Sequence, residues 1–340
     1  MLTAVMRMLA FAVLPLALTG CRITDWRLWH CDERADGGYD VVQIRDIPYH
    51  GGNDHDRLRH RLDLFAPKGQ KDCPVVMLVH GGAWIVGDNR CCGLYTSVGE
   101  FLASQGFIVV MPNYRLSPTV KHPEHVRDVA RAFAWSKKNI GEFGGRSDSI
   151  SLVGHSAGGH LVALLASDDR YLKEQGCRQA DIAKVVTISG VLRIPDGSPE
   201  IFLGGVSPLS IRWDSIFPLR GDGAPAKSDE APSRGWAVNV SLGSYIFGDD
   251  PEVRRLASAT SHVRPNMPPF LFITADKDLP MLGPMAEEMH RVMRLHGCDA
   301  RLLHVPGRNH NSVVFSAITL RDPVARAIVD FLRDSRITSV

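Results

Sequence analysis

The sequence predicts an α/β protein whose central sheet is mostly parallel and is covered by helices on both faces. Two observations support this class: short apolar segments alternate with amphipathic segments along most of the chain, and the short segments are apolar throughout. Strands that are buried on both faces have this composition. The strands are predicted at 41–44, 62–65, 75–79, 107–112, 150–153, 184–189, 270–274 and 301–305, with the first two as an antiparallel edge.

The helices are predicted between these strands, where apolar residues recur at helical spacing. Their ranges are 98–104, 126–139, 157–166, 284–296 and 324–332. One segment, 193–241, interrupts the alternation and is rich in Pro, Gly, Ser and charged residues. Long irregular segments inside a compact domain are uncommon and usually functional, so we expect a lid or substrate-pocket insertion. A surface loop without such a role is the alternative.

Composition favours one globular domain that binds no nucleic acid. The 340 residues carry a net charge of +2, with 22% charged and 44% hydrophobic residues. This charge is too small to favour a polyanionic partner. The length would allow two domains, but the candidate catalytic residues are spread along the chain, so 40–335 is predicted as one domain. The seven cysteines lack the spacing of a zinc site, and no metal is expected.

The amino terminus has the pattern of an export signal. Residues 1–7 carry one cation, residues 8–18 are apolar, and Leu18-Thr19-Gly20-Cys21 follows. The apolar run is too short to span a bilayer and has the proportions of a signal peptide. The last four residues resemble a bacterial lipobox, which implies cleavage after residue 20, a lipid on Cys21, a tether over 21–39 and an exported, membrane-anchored protein. An ordinary secretory signal and a buried first helix are the alternatives.

The segment Gly154-His155-Ser156-Ala157-Gly158 is the strongest catalytic signal. It follows the apolar run at 150–153 and precedes the apolar segment at 159–166. A serine between a strand and a helix, with glycines on both sides, is typical of a nucleophile elbow. Ser156 is therefore the candidate nucleophile, and an ordinary Gly/Ser turn is the alternative.

A second catalytic signal is His80-Gly81-Gly82-Ala83-Trp84, which follows the strand predicted at 75–79. Lipases and esterases carry their oxyanion loop at this place. The small side chains of Gly81, Gly82 and Ala83 allow the backbone amides to turn toward a developing oxyanion. Ala157 adds an amide at the start of its helix, where free N–H groups favour an anion.

A serine nucleophile needs a histidine base and a carboxylate, in the order Ser, acid, His in this fold class. His310 follows the last predicted strand and precedes the last helix, so it is the candidate base. Two aspartates, Asp276 and Asp278, follow the strand at 270–274. In esterases that carry such segments the acid usually lies three residues after the small residue that ends its strand. Counting from Ala275, this resemblance favours Asp278, while Asp276 suits a turn carboxylate that accepts local N–H bonds.

Residues near these segments are open to more than one reading. Trp84 either lines the substrate pocket or packs the oxyanion loop against the body of the protein. Arg115 and Asp128 are expected to form a structural pair. His155 and His160, which flank the nucleophile, are expected to be structural rather than catalytic.

Taken together, these segments resemble the α/β-hydrolases of the hormone-sensitive-lipase-like and feruloyl-esterase-like branch, which is related to the kynurenine formamidases. The resemblance covers roughly 40–335 and includes His80-Gly81-Gly82-Ala83-Trp84, Asn113-Tyr114-Arg115-Leu116-Ser117-Pro118, Asp128, Phe143-Gly144-Gly145, Gly154-His155-Ser156-Ala157-Gly158-Gly159-His160, and Asp278 with His310.

The resemblance implies a carboxylic-ester hydrolase that works through an acyl-enzyme and needs no cofactor. Its substrate would be a small-molecule or carbohydrate ester. An amidase or formamidase of the same fold is the first alternative. A catalytically inactive surface binding module is the second.

Overall fold

The eight strands form one continuous sheet in the computed structural model, which describes residues 38–195 and 242–334. The strands are β1 (Val41–Pro48), β2 (Arg61–Pro67), β3 (Cys73–Val79), β4 (Ile108–Pro112), β5 (Gly145–His155), β6 (Ile182–Ile188), β7 (Phe270–Lys277) and β8 (Ala300–Asn309). Their order across the sheet is β1-β2-β4-β3-β5-β6-β7-β8.

Only the β1 edge of this sheet is antiparallel. Strand β1 pairs antiparallel with β2, and β2 pairs antiparallel with β4. Every other pairing is parallel. The predicted fold class and its antiparallel edge are therefore confirmed.

Helices connect the strands and cover the sheet. In the described ranges they are α1 (Leu94–Ser104), α2 (Glu124–Asn139), α3 (Ala157–Ser167), α4 (Arg170–Glu174), α5 (Leu242–Phe247), α6 (Pro251–Ala257), α7 (Leu282–Leu295), α8 (Ser312–Phe315) and α9 (Pro323–Arg333). The five predicted helices are all present. Helices α4, α5, α6 and α8 were not predicted, because segments of four to seven residues are too short to show a helical period.

Both faces of the sheet are buried, which explains why its strands are apolar throughout. In β3, Val75, Met77 and Val79 contribute to the core on one face. Val76 and Leu78 contribute to the core on the other. Helices α2, α3 and α7 pack on the first face, whereas α1 and α9 pack on the second.

Arg115 and Asp128 form the expected pair. The Asp128 carboxylate is fully buried and accepts hydrogen bonds from Arg115 Nε at 2.8 Å and Arg115 N at 3.0 Å. Burial opposes ionisation, but the bonds from His60 and Arg115 hold the pKa of Asp128 well below its usual range. The pair ties the loop after β4 to helix α2.

Several predicted features lie outside the described residues. They are the signal peptide at 1–20, Cys21, residues 22–37 of the tether and residues 196–241 of the lid segment. In the part of the chain that the structure describes, none of the helices has both the length and the apolar character needed to cross a bilayer. The thiols of Cys73, Cys177 and Cys298 are buried and form no disulfide.

Candidate active site

Ser156 lies in a sharp turn between β5 and α3. Its backbone has φ 55° and ψ −120°, a conformation that L-residues rarely adopt. A side chain at Gly154 would overlap the carbonyl oxygen of Gly158, and one at Gly158 would overlap that of Val79. The two glycines are thus required for the close approach of backbone segments that exposes the serine hydroxyl.

The structure brings together the three residues proposed for a triad. His310 Nε2 lies 2.9 Å from Ser156 Oγ, and His310 Nδ1 lies 2.7 Å from Asp278 Oδ1. These residues directly follow β5, β7 and β8. Because these strands are parallel, their carboxyl ends meet at one edge of the sheet, where residues distant in sequence come within hydrogen-bonding distance.

Asp278 is held as a carboxylate by several donors. Its Oδ1 atom accepts a bond from the amide of Leu279 at 2.8 Å, and its Oδ2 atom accepts one from the Ser189 hydroxyl. Burial favours the neutral acid, but the hydrogen bonds from His310, Ser189 and Leu279 lower the pKa of Asp278 below its usual value. A charged Asp278 can hold the Nδ1–H of His310 and stabilise the imidazolium.

Sequence reasoning missed Ser189, which follows β6. Its φ of 49° places the residue in the left-handed region, and its side chain reaches the acid on the neighbouring strand. The available signal was a small hydroxyl residue at the carboxyl end of a buried strand.

Asp276 occupies a different environment. Its side chain is exposed, and Oδ2 accepts a hydrogen bond from the amide of Gly307 at 2.9 Å. Gly307 is 31 residues further along the chain, so this bond joins two loops and is not the local turn contact expected for Asp276. Of the two aspartates, Asp278 is the one that contacts His310.

The oxyanion loop lies directly against the nucleophile. A side chain at Gly81 would come 3.1 Å from Ser156 Cβ. Gly82 has φ +119°, and a Cβ there would overlap the carbonyl oxygen of Val86. The positive φ of Ala83 and Trp84 continues the turn.

One expectation for this loop needs correction. The amide of Gly81 donates to Tyr95 Oη at 2.8 Å, so it supports the loop rather than facing an oxyanion. By contrast, the amides of Gly82, Ala83 and Ala157 donate to no acceptor among the described residues. Small side chains permitted all of these amides to turn inward, but the buried Tyr95 hydroxyl binds the first.

Of the two roles expected for Trp84, the structure shows packing of the loop against the helices and not a place in the lining of a substrate pocket. Its side chain is 1% exposed. The indole Nε1–H donates to His160 Nδ1 at 3.2 Å, and the ring makes an edge contact with Phe247 at 5.1 Å. His160 in turn donates from Nε2 to the carbonyl oxygen of Ala257 at 2.8 Å. Burial lowers the pKa of His160 to about 4, consistent with this neutral, structural ring.

The chemistry available here is therefore that of a hydroxyl nucleophile, an imidazole base and backbone amides. Across residues 38–195 and 242–334, no group of three or more His, Cys, Asp or Glu side chains is arranged to hold a metal ion.

Known proteins resemble this chain in sequence over most of its length. The BD-FAE family profile matches residues 62–196. Esterase LipC of Mycobacterium tuberculosis is 28% identical over 309 residues, which cover 85% of this chain and 68% of LipC. Esterase LipQ of the same organism is 30% identical over 299 residues, covering 86% of this chain and 62% of LipQ. The chain thus spans about two thirds of the length of these relatives.

The solved structures agree on the fold. Esterase B from Lactobacillus rhamnosus superposes with a TM-score of 0.68 at 20% identity, covering 98% of this chain and 95% of that one. At such identity the likeness establishes the fold alone. The chain therefore has the α/β-hydrolase fold, is similar in sequence to esterases over most of its length, and matches the BD-FAE profile over part of it.

Proposed function

We propose that the protein is a serine carboxylesterase that hydrolyses small-molecule esters through an acyl-enzyme, with Ser156, His310 and Asp278 as the catalytic residues. The observation that carries the proposal is the continuous hydrogen-bonded path from Asp278 through His310 to Ser156 Oγ, with bonds of 2.7 and 2.9 Å. The esterase relatives support the same reaction class.

Acylation begins with His310. A serine hydroxyl is a weak nucleophile at neutral pH, so His310 Nε2 accepts its proton as Oγ attacks the ester carbonyl carbon. The Nδ1–H of His310 remains bonded to Asp278, which stabilises the positive imidazolium.

The attack moves negative charge onto the carbonyl oxygen. The unpaired amides of Gly82, Ala83 and Ala157 are the available donors, and Ala157 lies at the positive end of α3. When the tetrahedral adduct collapses, the C–O bond to the alcohol breaks and His310 gives its proton to the departing alcohol oxygen. Water then attacks the acyl-enzyme with His310 again as the base, which releases the carboxylic acid and restores Ser156.

Turnover of matched esters and amides tests this proposal. The protein and Ser156→Ala would be assayed with p-nitrophenyl esters of increasing acyl length and with the p-nitroanilides of the same acids. We expect the parent to release nitrophenol from short-chain esters with an initial burst equal to the enzyme concentration, and Ser156→Ala to release none. Faster turnover of the anilides or a formanilide would favour an amidase instead. A folded parent that hydrolyses no member of the series would overturn the proposal.

We further propose that the chain is exported and anchored to the membrane by a lipid on Cys21. The support is the signal-like segment at 1–20 and the lipobox resemblance of Leu18-Thr19-Gly20-Cys21. Two or more acyl chains provide stable membrane attachment. Expression in a bacterium fed with radiolabelled palmitate should label the wild type in the membrane fraction. Cys21→Ser should lose both the label and the membrane association, and a labelled Cys21→Ser protein would contradict the assignment.

A further inference from the structure

A buried series of three hydrogen bonds joins the oxyanion loop to the loop that carries the base. The amide of Gly81 lies 2.8 Å from Tyr95 Oη, and Tyr95 Oη lies 2.8 Å from His155 Nδ1. The other ring nitrogen of His155, Nε2, lies 2.9 Å from the carbonyl oxygen of His310. Two side chains thus connect the backbone next to Gly82 with the backbone of the catalytic histidine.

The donors and acceptors in this series fit only one arrangement. A carbonyl oxygen can only accept, so His155 carries its proton on Nε2 and donates to His310. Burial lowers the pKa of His155 to about 3, so the ring is neutral and its Nδ1 atom is an acceptor. Burial also raises the pKa of Tyr95, which keeps its hydroxyl protonated and donating to His155. The Tyr95 oxygen then accepts the amide proton of Gly81.

Both side chains are enclosed, so water cannot readily replace a lost partner. Tyr95 is 5% exposed and His155 3% exposed. The Tyr95 ring makes an edge contact with Phe315 of α8 at 5.1 Å, and the His155 ring lies 4.8 Å from the His310 ring. Removal of either side chain's polar group would leave a buried donor or acceptor without a partner. The adjoining backbone would then shift to satisfy that group.

We propose that Tyr95 and His155 are positioning residues for ester hydrolysis, which keep the oxyanion amides and the His310 base aligned on Ser156. This inference rests on the proposed esterase function. Tyr95 fixes the peptide that leads into Gly82 and Ala83, whereas His155 fixes the backbone from which the His310 ring extends. Neither residue touches the reacting atoms; each acts through the backbone that it holds.

Tyr95→Phe is the direct test, because it removes the hydroxyl and retains the ring against Phe315. Misplacement of catalytic groups by about 1 Å can cost about 100-fold in rate, so we expect kcat to fall by about 10- to 100-fold. KM for a p-nitrophenyl ester should change little, because Tyr95 is buried and acts through the backbone rather than on the ester. Affinity for a trifluoromethyl ketone, whose adduct resembles the tetrahedral intermediate, should fall in parallel with kcat/KM.

Tyr49→Phe is the matched control. The Tyr49 hydroxyl is also buried and donates to a backbone carbonyl, that of Asn113, at 2.6 Å. Its loss should lower the melting temperature by a similar amount but leave kcat as in the parent. This comparison separates loss of alignment from loss of stability.

Two His155 variants test the other half of the series. His155→Leu removes both hydrogen bonds, whereas His155→Gln can still donate to the His310 carbonyl. We expect His155→Gln to recover several-fold in kcat over His155→Leu at unchanged KM. Unchanged kcat in Tyr95→Phe, or equal kcat in the two His155 variants, would overturn the positioning role. An inactive parent would instead overturn the esterase proposal, and this inference with it.

Discussion

The Oδ1 atom of Asp278 lies 2.7 Å from Nδ1 of His310, while the second carboxylate oxygen accepts the hydroxyl proton of Ser189. Both carboxylate oxygens are therefore hydrogen-bonded: Oδ1 to His310 and the Leu279 amide, and Oδ2 to Ser189. Asp276, by contrast, is exposed and binds the amide of Gly307.

Asp278→Asn should therefore impair catalysis far more than Asp276→Asn. The amide cannot stabilise the imidazolium and can favour the wrong tautomer of His310, so we expect kcat to fall by about 10³- to 10⁴-fold. Steady-state hydrolysis of a short p-nitrophenyl ester measures this loss. Asp276→Asn is the control and should retain nearly full activity. A greater loss for Asp276→Asn would assign the acid role to that residue.

Gly82→Ala should disrupt the oxyanion loop. The added Cβ would overlap the carbonyl oxygen of Val86, in addition to the strain of a positive φ. We expect a lower melting temperature together with lost ester hydrolysis. Gly69→Ala is a matched control, because Gly69 has φ +74° but nothing within 4 Å of the added atom. It should show only the smaller strain effect, about 1 kcal/mol, with normal kcat. Equal losses in the two variants would argue against the close contact at Gly82.

Trp84→Ala should act mainly on stability. The ring is buried between the loop and the helices, and replacing such a residue costs about 3–5 kcal/mol. Urea denaturation followed by circular dichroism measures this change. Trp135→Ala, at a half-buried position on α2, should cost less. Unchanged stability of Trp84→Ala with a higher KM for bulky esters would restore Trp84 to the substrate pocket.

Lowering the pH from about 6.5 toward 4 should destabilise the folded protein. Burial lowers the folded-state pKa of a group of histidines to about 3 or 4: His80, His122, His125, His155 and His160. In the unfolded chain these rings take up protons below a pKa of about 6.5, so the unfolded state binds more protons there. Stability should accordingly fall as the pH drops from about 6.5 toward 4, by about 1.4 kcal/mol per ring per pH unit.

The free energy of unfolding in urea at a series of pH values measures this slope. His122→Leu should reduce the slope by about the contribution of one ring. The substitution breaks no bond at Nδ1, because this buried atom has no hydrogen-bond partner among the described residues. A slope that is insensitive to His122→Leu would mean that this ring does not stay neutral in the folded protein.

The sheet was largely predictable because burial on both faces leaves continuous apolar runs such as 75–79 and 270–274. The positions of the strand ends were less predictable. Strand β5 begins at Gly145 rather than 150, with an irregular register against β3 and largely exposed polar residues at 146–149. Backbone hydrogen bonds hold such strand ends in the sheet. The hydropathy of the side chains does not predict these bonds.

The candidate site also has residues that the sequence predicts and residues that it does not. Ser156 and His310 could be placed from local pattern and chain order, since each follows a strand end. The contacts of Tyr95 and Ser189 depend on how α1 and β6 pack in the fold. The local pattern offered Ser189 only as a hydroxyl residue at a strand end and gave no sign of its contact with Asp278. The orientation of the Gly81 amide could not be predicted from the sequence either, because the Tyr95 hydroxyl sets it and the small residues of the loop do not.

The backbone conformation of Ser156 places activity and stability in conflict at one position. A non-glycine residue in such a conformation carries about 1–3 kcal/mol of strain, whereas the entropy cost of a glycine is about 0.5–1 kcal/mol. Ser156→Gly should therefore yield an inert protein at least as stable as the parent, while Ser156→Ala keeps the strain. Ser156→Gly would thus gain stability only by giving up the hydroxyl that the proposed esterase needs for turnover.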